Sequence, residues 1–206
     1  MKYHNLDSYL ILDPCVVEHW LSTSINLNSN YLPIFNEEFD IELKNVGPFI
    51  FKYSADSLFG KWIMDECIEK DFGILLVCDT DIIEIANHFR QFIRITTPDY
   101  ILSYFRFYDP RVLRIFLPTC DAGQLREFFG PVTYYFCADD DPAFFLVYSL
   151  RYGQLHTERV SVEDALNNPA ALTDPAPPAP PAPPAAYSPT PPTPPPGRPV
   201  IIIRRK

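Results

Sequence analysis

The chain has 206 residues, a formal net charge of −9 and a hydrophobic fraction of 47%. This length fits one domain with an appendage, and this hydrophobic fraction can form a core, which excludes a chain that is disordered throughout. The negative charge argues against non-specific binding to nucleic acid. No apolar run approaches the ~18 residues of a membrane span, and the run near residue 10 is too short for a secretory signal. We therefore expect a soluble cytoplasmic protein that binds neither nucleic acid nor a membrane.

The apolar pattern in the first half of the chain alternates between the spacing of strands and that of helices. In chain order it predicts a strand over 8–12, a helix beginning at Asp13-Pro14, a loop over 22–30, a strand over 49–53, a helix over 57–70, a strand over 73–78 and a helix beginning at Asp81. The run over 73–78 is continuously apolar, which is typical of a strand covered on both faces. Glu84 lies three residues after Asp81, the spacing of a capping box.

In the second half, an aromatic run is followed by two helix starts and two strands. The pattern predicts an extended segment over 104–108, helices beginning at Asp109-Pro110 and Asp121, and strands over 132–137 and 144–150 that flank a turn over 138–142. Aspartate accepts bonds from the amides of a first helical turn, and proline fits the first helical position. Together these elements predict an α/β domain: a mixed sheet with flanking helices, a short helical arginine-rich segment and a C-terminal hairpin.

The composition changes completely near residue 174. Fourteen of the 23 prolines lie between residues 174 and 199, and such a segment, poor in amide donors and in apolar side chains, is expected to be extended and disordered. We therefore divide the chain into a domain over 1–168, a flexible proline-rich linker over 169–199 and a β-prone basic hook over 200–206. The tail is either a solvated spacer or a tether whose last strand adds to a sheet edge on a partner. Exposed isoleucines favour a hook that is covered.

The arginines form an island in an otherwise acidic chain. Residues 1–87 hold five lysines and fifteen acidic residues, whereas residues 88–126 hold six arginines and three aspartates. Either the island faces a partner or its arginines pair with the acidic remainder of the domain, and the sequence leaves both interpretations open. The candidate partner-binding residues are His88, Arg90, Arg94, Arg106, Asp109, Arg111, Arg114 and Arg126. Of these, Arg114 and Arg126 are expected on the outer sides of their helices.

Two of these candidates carry alternative interpretations. If residues 104–108 are extended, Phe105 and Phe107 lie on one face and Tyr104, Arg106 and Tyr108 on the other. Arg106 is then either an ionic staple that joins the sheet to the helix after Pro110, or part of a face that grips carboxylates or carbonyls of a partner. His88 either makes a structural hydrogen bond or contacts a partner.

The spacings of the common catalytic motifs do not occur in this sequence. The four histidines are scattered, the five cysteines lie among apolar residues and are expected to be free thiols, and the aspartates at 139–141 fit a solvated turn. We therefore predict no catalytic residue, no metal site and no cofactor.

The residues from 105 to 131 carry a resemblance to a known family. The run FRFYDPRVL, followed by FLP and FFGP, resembles the signature of the bacterial type VI secretion effector adaptors, also called Tap or TEC chaperones, a family formerly known as a domain of unknown function. Weaker similarity extends back through 87–93, 73–79 and 45–51. The resemblance implies a non-enzymatic adaptor in the bacterial cytoplasm that binds a toxic effector and loads it onto the VgrG spike protein. The alternatives are a small enzyme with an unrecognised site and a signalling scaffold whose proline-rich tail is bound by a partner.

Overall fold

The computed structural model describes residues 6–13, 20–35, 47–66, 71–96 and 99–167 of the chain. Its strands are β1 (Asp7–Leu12), β2 (Tyr31–Pro33), β3 (Phe49–Tyr53), β4 (Gly73–Cys78), β5 (Arg94–Thr96), β6 (Leu102–Tyr104), β7 (Val132–Ala138), β8 (Phe144–Arg151) and β9 (Gln154–Ser161). Its helices are α1 (Trp20–Leu27), α2 (Leu58–Glu66), α3 (Ile82–Ile93), α4 (Pro110–Phe116), α5 (Ala122–Phe129) and α6 (Val162–Asn167), with a 3-10 turn over Leu117–Thr119. None of these helices is long and apolar enough to cross a membrane. The linker and the hook lie outside the described ranges.

Seven of the strands form one sheet in the order β2-β3-β1-β4-β7-β8-β9, and β5 and β6 form a separate hairpin. Each of these strand pairs is antiparallel. The predicted α/β class with flanking helices is confirmed, whereas the sheet is antiparallel rather than mixed. Short turns join β7, β8 and β9, and strands joined in this way run antiparallel without a crossover helix.

Helices cover both faces of the sheet, and alternate residues of each strand point to different helices. Ile74 and Leu76 of β4 pack with α3, α4 and α5, whereas Leu75 and Val77 pack with α1, α2 and α6. All six residues of β4 are buried, which confirms that this strand is covered on both faces. The arginine-rich segment thus lies in one helical layer, on the side of α3, α4 and α5.

The structure corrects the prediction of a loop over 22–30, because α1 runs through most of it. Trp20 is buried, and its ring meets those of Trp62 at 5.9 Å and Phe72 at 6.1 Å, edge to face. This packing outweighs the weak helix propensity of the serine- and asparagine-rich sequence. The predicted start of that helix at Asp13-Pro14 lies at the border of the described residues, and 14–19 fall outside them.

The cap of α3 differs in part from its prediction. Asp81 accepts bonds from the amides of Ile83 and Glu84, both at 2.9 Å, as expected of an N-cap. The carboxylate of Glu84, however, accepts a bond from the Thr80 hydroxyl, so the expected capping box is not formed there. The box forms instead on α5, where the side chain of Gln124 accepts a bond from the Asp121 amide at 2.9 Å.

Candidate functional site

The segment over 105–131 folds as a buried aromatic loop, α4, the 3-10 turn and α5. Phe105 stands 4.6 Å from Phe116 of α4, and Phe107 stacks on Phe89 of α3 at 4.6 Å between ring centres. The ring of Phe128 on α5 lies within 6.5 Å of each of Phe105, Phe107 and Phe116. The aromatic residues that look most distinctive in the sequence therefore build the core of this layer.

The expected alternation over 104–108 holds only in part. Phe105 and Phe107 are buried together, and Tyr104 and Arg106 are exposed, as predicted. Tyr108 is buried rather than exposed, because β6 ends at Tyr104 and the chain turns through residues 107–108. A bond of 3.0 Å from the Asp109 amide to the Arg106 carbonyl closes that turn.

Arg106 joins the end of β1 to the start of α4. Its guanidinium donates to the carboxylate of Asp13, the residue after β1, and lies 3.7 Å from that of Asp109. Both carboxylates are buried, whereas the side chain of Arg106 is 45% exposed. Its Cζ also lies 6.0 Å from the centre of the Tyr108 ring, within reach of a cation–π contact. This geometry corresponds to the ionic staple, with Asp13 as the partner that the sequence did not identify.

Asp109 is fixed by a second arginine as well as by its place at the helix start. Its carboxylate accepts bonds from the Arg111 amide at 3.0 Å and from the Arg111 guanidinium at 2.9 and 2.7 Å. Burial favours the neutral form of Asp109, but the bonds and charge of Arg111, with the charge of Arg106, outweigh it and lower the pKa of this carboxyl. The Nε of Arg111 also lies 3.8 Å from the carboxylate of Asp71.

The prediction that Arg114 lies exposed on the outer side of its helix is wrong. Its side chain is only 18% exposed, and it donates to the Ala138 carbonyl and, at 2.7 Å, to the carboxylate of Asp140. Arg159 holds the neighbouring Asp139 and Asp141 at 2.6 and 2.9 Å. The acidic turn between β7 and β8 is therefore held by arginines, and Arg114 anchors it to α4.

His88 and Arg90 of α3 also make contacts within the domain. The Nε2 of His88 donates to the carbonyl of Phe128 at 2.8 Å, and the Tyr135 hydroxyl donates to the same oxygen at 2.9 Å. Carbonyls in the last turn of a helix lack partners in the helix itself, so these two donors fix the end of α5. Arg90 donates to the carbonyls of Ile34 and Pro33 at 2.9 and 3.1 Å. Both residues thus have structural roles here.

The remaining two candidates face solvent. Arg94 begins β5 and pairs in register with Tyr104 of β6. Arg126 is exposed on α5, and its side chain makes no hydrogen bond or ion pair with the described part of the chain. Within the island, Arg90, Arg106, Arg111 and Arg114 therefore bind groups of the domain, whereas the exposed side chain of Arg126 pairs with no described residue.

Sequence reasoning missed one surface feature near the island. The side chains of Tyr100, Ile101, Leu102 and Tyr104 are exposed on the β5–β6 hairpin. The signal that could have revealed them is the short apolar stretch directly after Pro98-Asp99, a pair typical of turns.

We predict that Arg106→Ala lowers the free energy of unfolding by about 2–4 kcal/mol, because it removes this ion pair from the buried Asp13. The figure stays below that of a fully buried pair since the guanidinium is half-exposed. Urea unfolding measures the change, and in an Asp13→Asn background the same substitution should cost much less. Equal stability of Arg106→Ala and wild type would contradict the staple and leave Arg106 as a surface contact residue.

We predict that Gly130→Ala destabilises the domain more than Gly153→Ala. Both glycines have positive φ, +49° and +76°, so an added Cβ strains the backbone at each by about 1 kcal/mol. At Gly130 that Cβ would also lie 2.2 Å from the His88 ring, whereas at Gly153 no atom lies within 4 Å. The collision should add about 1–3 kcal/mol. Chemical denaturation of the two variants measures the difference, and equal costs would contradict the close fit of His88.

We predict that stability falls below about pH 6.5 in a way that depends on His88. Burial lowers the pKa of this imidazole, partly opposed by its bond to Phe128 and the charge of Glu127. A group with a lowered folded-state pKa contributes its stability above the unfolded value of about 6.5 and loses it as the pH falls. At pH 5.5 the loss is at most about 1.4 kcal/mol.

The measurement is the thermal midpoint at pH 7.5 and pH 5.5 for wild type and for His88→Gln, whose amide can still donate to a carbonyl but does not titrate. Wild type should lose a few degrees more than the variant on acidification. Parallel pH profiles of the two proteins would show that His88 is not the titrating group.

The comparisons with known proteins bear on this part of the chain. A family model described as "Domain of unknown function (DUF4123)" matches residues 8–127, more than half of the 206 residues. The match begins in β1 and ends within α5, so it includes both ends of the Arg106 staple and the whole of α4. No curated protein and no solved structure gives a significant match. The chain therefore belongs to the DUF4123 family.

Proposed function

We propose that this protein is a non-enzymatic adaptor that binds a type VI secretion effector in the bacterial cytoplasm and loads it onto the VgrG spike protein. The observation that carries the proposal is the run FRFYDPRVL with the following FLP and FFGP, which resembles the signature of those adaptors. The family match covers most of this block, from Phe105 to Glu127.

The contacts of the block support a role in binding rather than in catalysis. Arg106, Asp109 and Arg111 are engaged with one another and with Asp13. Side chains of this kind, tied into ion pairs and a helix cap, keep a surface rigid, and rigid surfaces bind partners with little loss of conformational entropy. The proposed role of the signature is thus to hold α4 and α5 in place, while residues on their outer sides meet the effector.

Of the candidate arginines, Arg126 is the best placed to make such a contact. It is exposed on α5, outside the internal ion pairs of the arginine island, and α5 is held at both ends by its capping box and by the bonds to the Phe128 carbonyl. Arginine is enriched at protein interfaces because its planar guanidinium makes several directed hydrogen bonds. A specific complex is expected to bury on the order of 1,200–2,000 Å² in total.

We predict that the purified chain forms a complex with the N-terminal region of the effector encoded beside it, and a ternary complex once the spike protein is added. Arg126→Glu should weaken effector binding at least tenfold by calorimetry, since it replaces a cationic contact with a repulsive one. Lys61→Glu is the matched control, because Lys61 is exposed on α2, on the other side of the sheet.

Two outcomes would count against the proposal, at different levels. Failure of the complex to form, or normal secretion of the effector after deletion of this gene, would overturn the adaptor function. A stable complex that Arg126→Glu and Lys61→Glu affect equally would leave the function standing and remove α5 from the interface.

A further inference from the structure

The β5–β6 hairpin presents a contiguous apolar surface. Tyr100 is 85% exposed, Ile101 57%, Leu102 62% and Tyr104 47%. Single exposed apolar residues are ordinary on a protein surface, but a contiguous group marks a site that is covered by another chain segment or by a partner.

The strand register shows how this surface is arranged. Arg94 lies opposite Tyr104 and Thr96 opposite Leu102, and these four residues form the outer face of the hairpin, whereas the half-buried Ile95 and Ser103 lie on the other face. In the described part of the chain β6 pairs with β5 alone. One edge of β6 is thus bonded to β5. Its second edge, which no described strand pairs with, borders the outer face that carries Leu102 and Tyr104.

The outer edges of the large sheet are much less suited to accept a strand. Strand β2 at one edge has three residues and ends in Pro33, which has no amide proton. Strand β9 at the other edge carries the charged pair Glu158 and Arg159. Short edges, prolines and charges are common means by which proteins prevent further strand pairing. The edge of β6 has apolar outward side chains instead.

We propose that residues 200–206 of the same chain, VIIIRRK, add to the second edge of β6 as an antiparallel strand and cover this apolar face. The segment begins with four β-branched residues, Val200 to Ile203, which are the residues best suited to a pleated, half-buried position. Because successive side chains alternate between faces and all four are apolar, either register places apolar side chains beside Leu102 and Tyr104.

The chain length between the domain and this segment allows the contact. Thirty-two residues separate Asn167, the end of α6, from Val200, and their maximum span is about 110 Å. A domain of this size has a radius of gyration of about 15 Å. The segment can therefore reach any part of the domain surface.

The size of the patch favours a segment that is already tethered. Four such side chains offer on the order of 400 Å² of apolar surface, and a stable complex between separate molecules needs about 800 Å² on each partner. A tethered segment faces an effective concentration in the millimolar range, so a smaller contact is sufficient. A second copy of the chain pairing through this hairpin alone would fall short of that area.

Charge selects the antiparallel direction. Asp99 is exposed at the tip of the hairpin, just before β6, and Arg94 lies beside Tyr104 at its base. An antiparallel segment places Arg204, Arg205 and Lys206 near the carboxylate of Asp99 and away from Arg94. A parallel segment would place these three cations at the opposite end of β6, away from Asp99. This contact is separate from the adaptor function, and either can stand without the other.

The test uses the full chain and a carbodiimide, which joins a carboxylate directly to an amine. In the wild type we expect a crosslink between Asp99 and Lys206 within one chain, and amide exchange of residues 100–105 at least tenfold slower than in the Ile201→Asp/Ile203→Asp variant. The crosslink should disappear in that variant. Its substitutions lie outside the described residues and the hook is proposed to contact β6 alone, so exchange in α3 should not change.

The matched control is Thr190→Asp/Thr193→Asp, which adds the same two charges within the linker and should behave as the wild type does. Equal exchange of residues 100–105 in the wild type and in Ile201→Asp/Ile203→Asp would overturn the proposal. A mixture of isotopically labelled and unlabelled chains separates contacts within a chain from those between chains. A crosslink that joins two chains and never forms within one, as mixed-label pairs would reveal, would also overturn it, in favour of an exchange of the segment between two copies.

Discussion

Two buried carboxylates share one half-exposed guanidinium, and the placement of the helical layer of α3, α4 and α5 depends on that arrangement. Asp13 directly follows β1, an interior strand of the sheet, Asp109 caps the start of α4, and Arg106 bridges the two. A buried carboxylate without such a partner is costly, so the charge requirement fixes where the helix begins relative to the sheet. The two ion pairs of Arg106 also set the buried path of the aromatic loop over 105–108.

The layer beyond the staple is fixed by aromatic packing and by one carbonyl. Phe128 lies among Phe105, Phe107 and Phe116 and stacks on Tyr135 of β7 at 5.4 Å. Its carbonyl accepts bonds from His88 and Tyr135, so a helix, a strand and the end of α5 meet at one oxygen. Packing supplies most of the stabilisation, and the directed bonds select a single orientation for α5.

The sequence was most informative where local chemistry decides structure. The caps at Asp81, Asp109 and Asp121 and the buried run over 73–78 all depend on residues within a few positions of one another, and all are found in the structure. Strand direction in the sheet, the α1 helix and the partner of Arg106 depend on residues far apart in the chain, which a local pattern does not contain. The failure at Arg114 has the same origin, since the Ala138 carbonyl and Asp140 reach it from 24 and 26 residues away. Contact with a partner depends on the shape and charge of the surface. The partner-binding role of the eight candidate residues is therefore a proposal.

The close approach of Gly130 to the His88 ring has a consequence for how this family varies. A side chain at 130 and a full imidazole at 88 cannot occupy the same space, although 42 residues separate the two positions in the chain. Position 130 can carry a side chain only where residue 88 is smaller than histidine. We therefore expect the two positions to change together among related chains, with a smaller residue at 88 wherever 130 carries a side chain, and the carbonyl of residue 128 then needs another donor. A side chain at position 130 thus costs only its backbone strain, without the collision, in a relative whose residue at 88 is smaller.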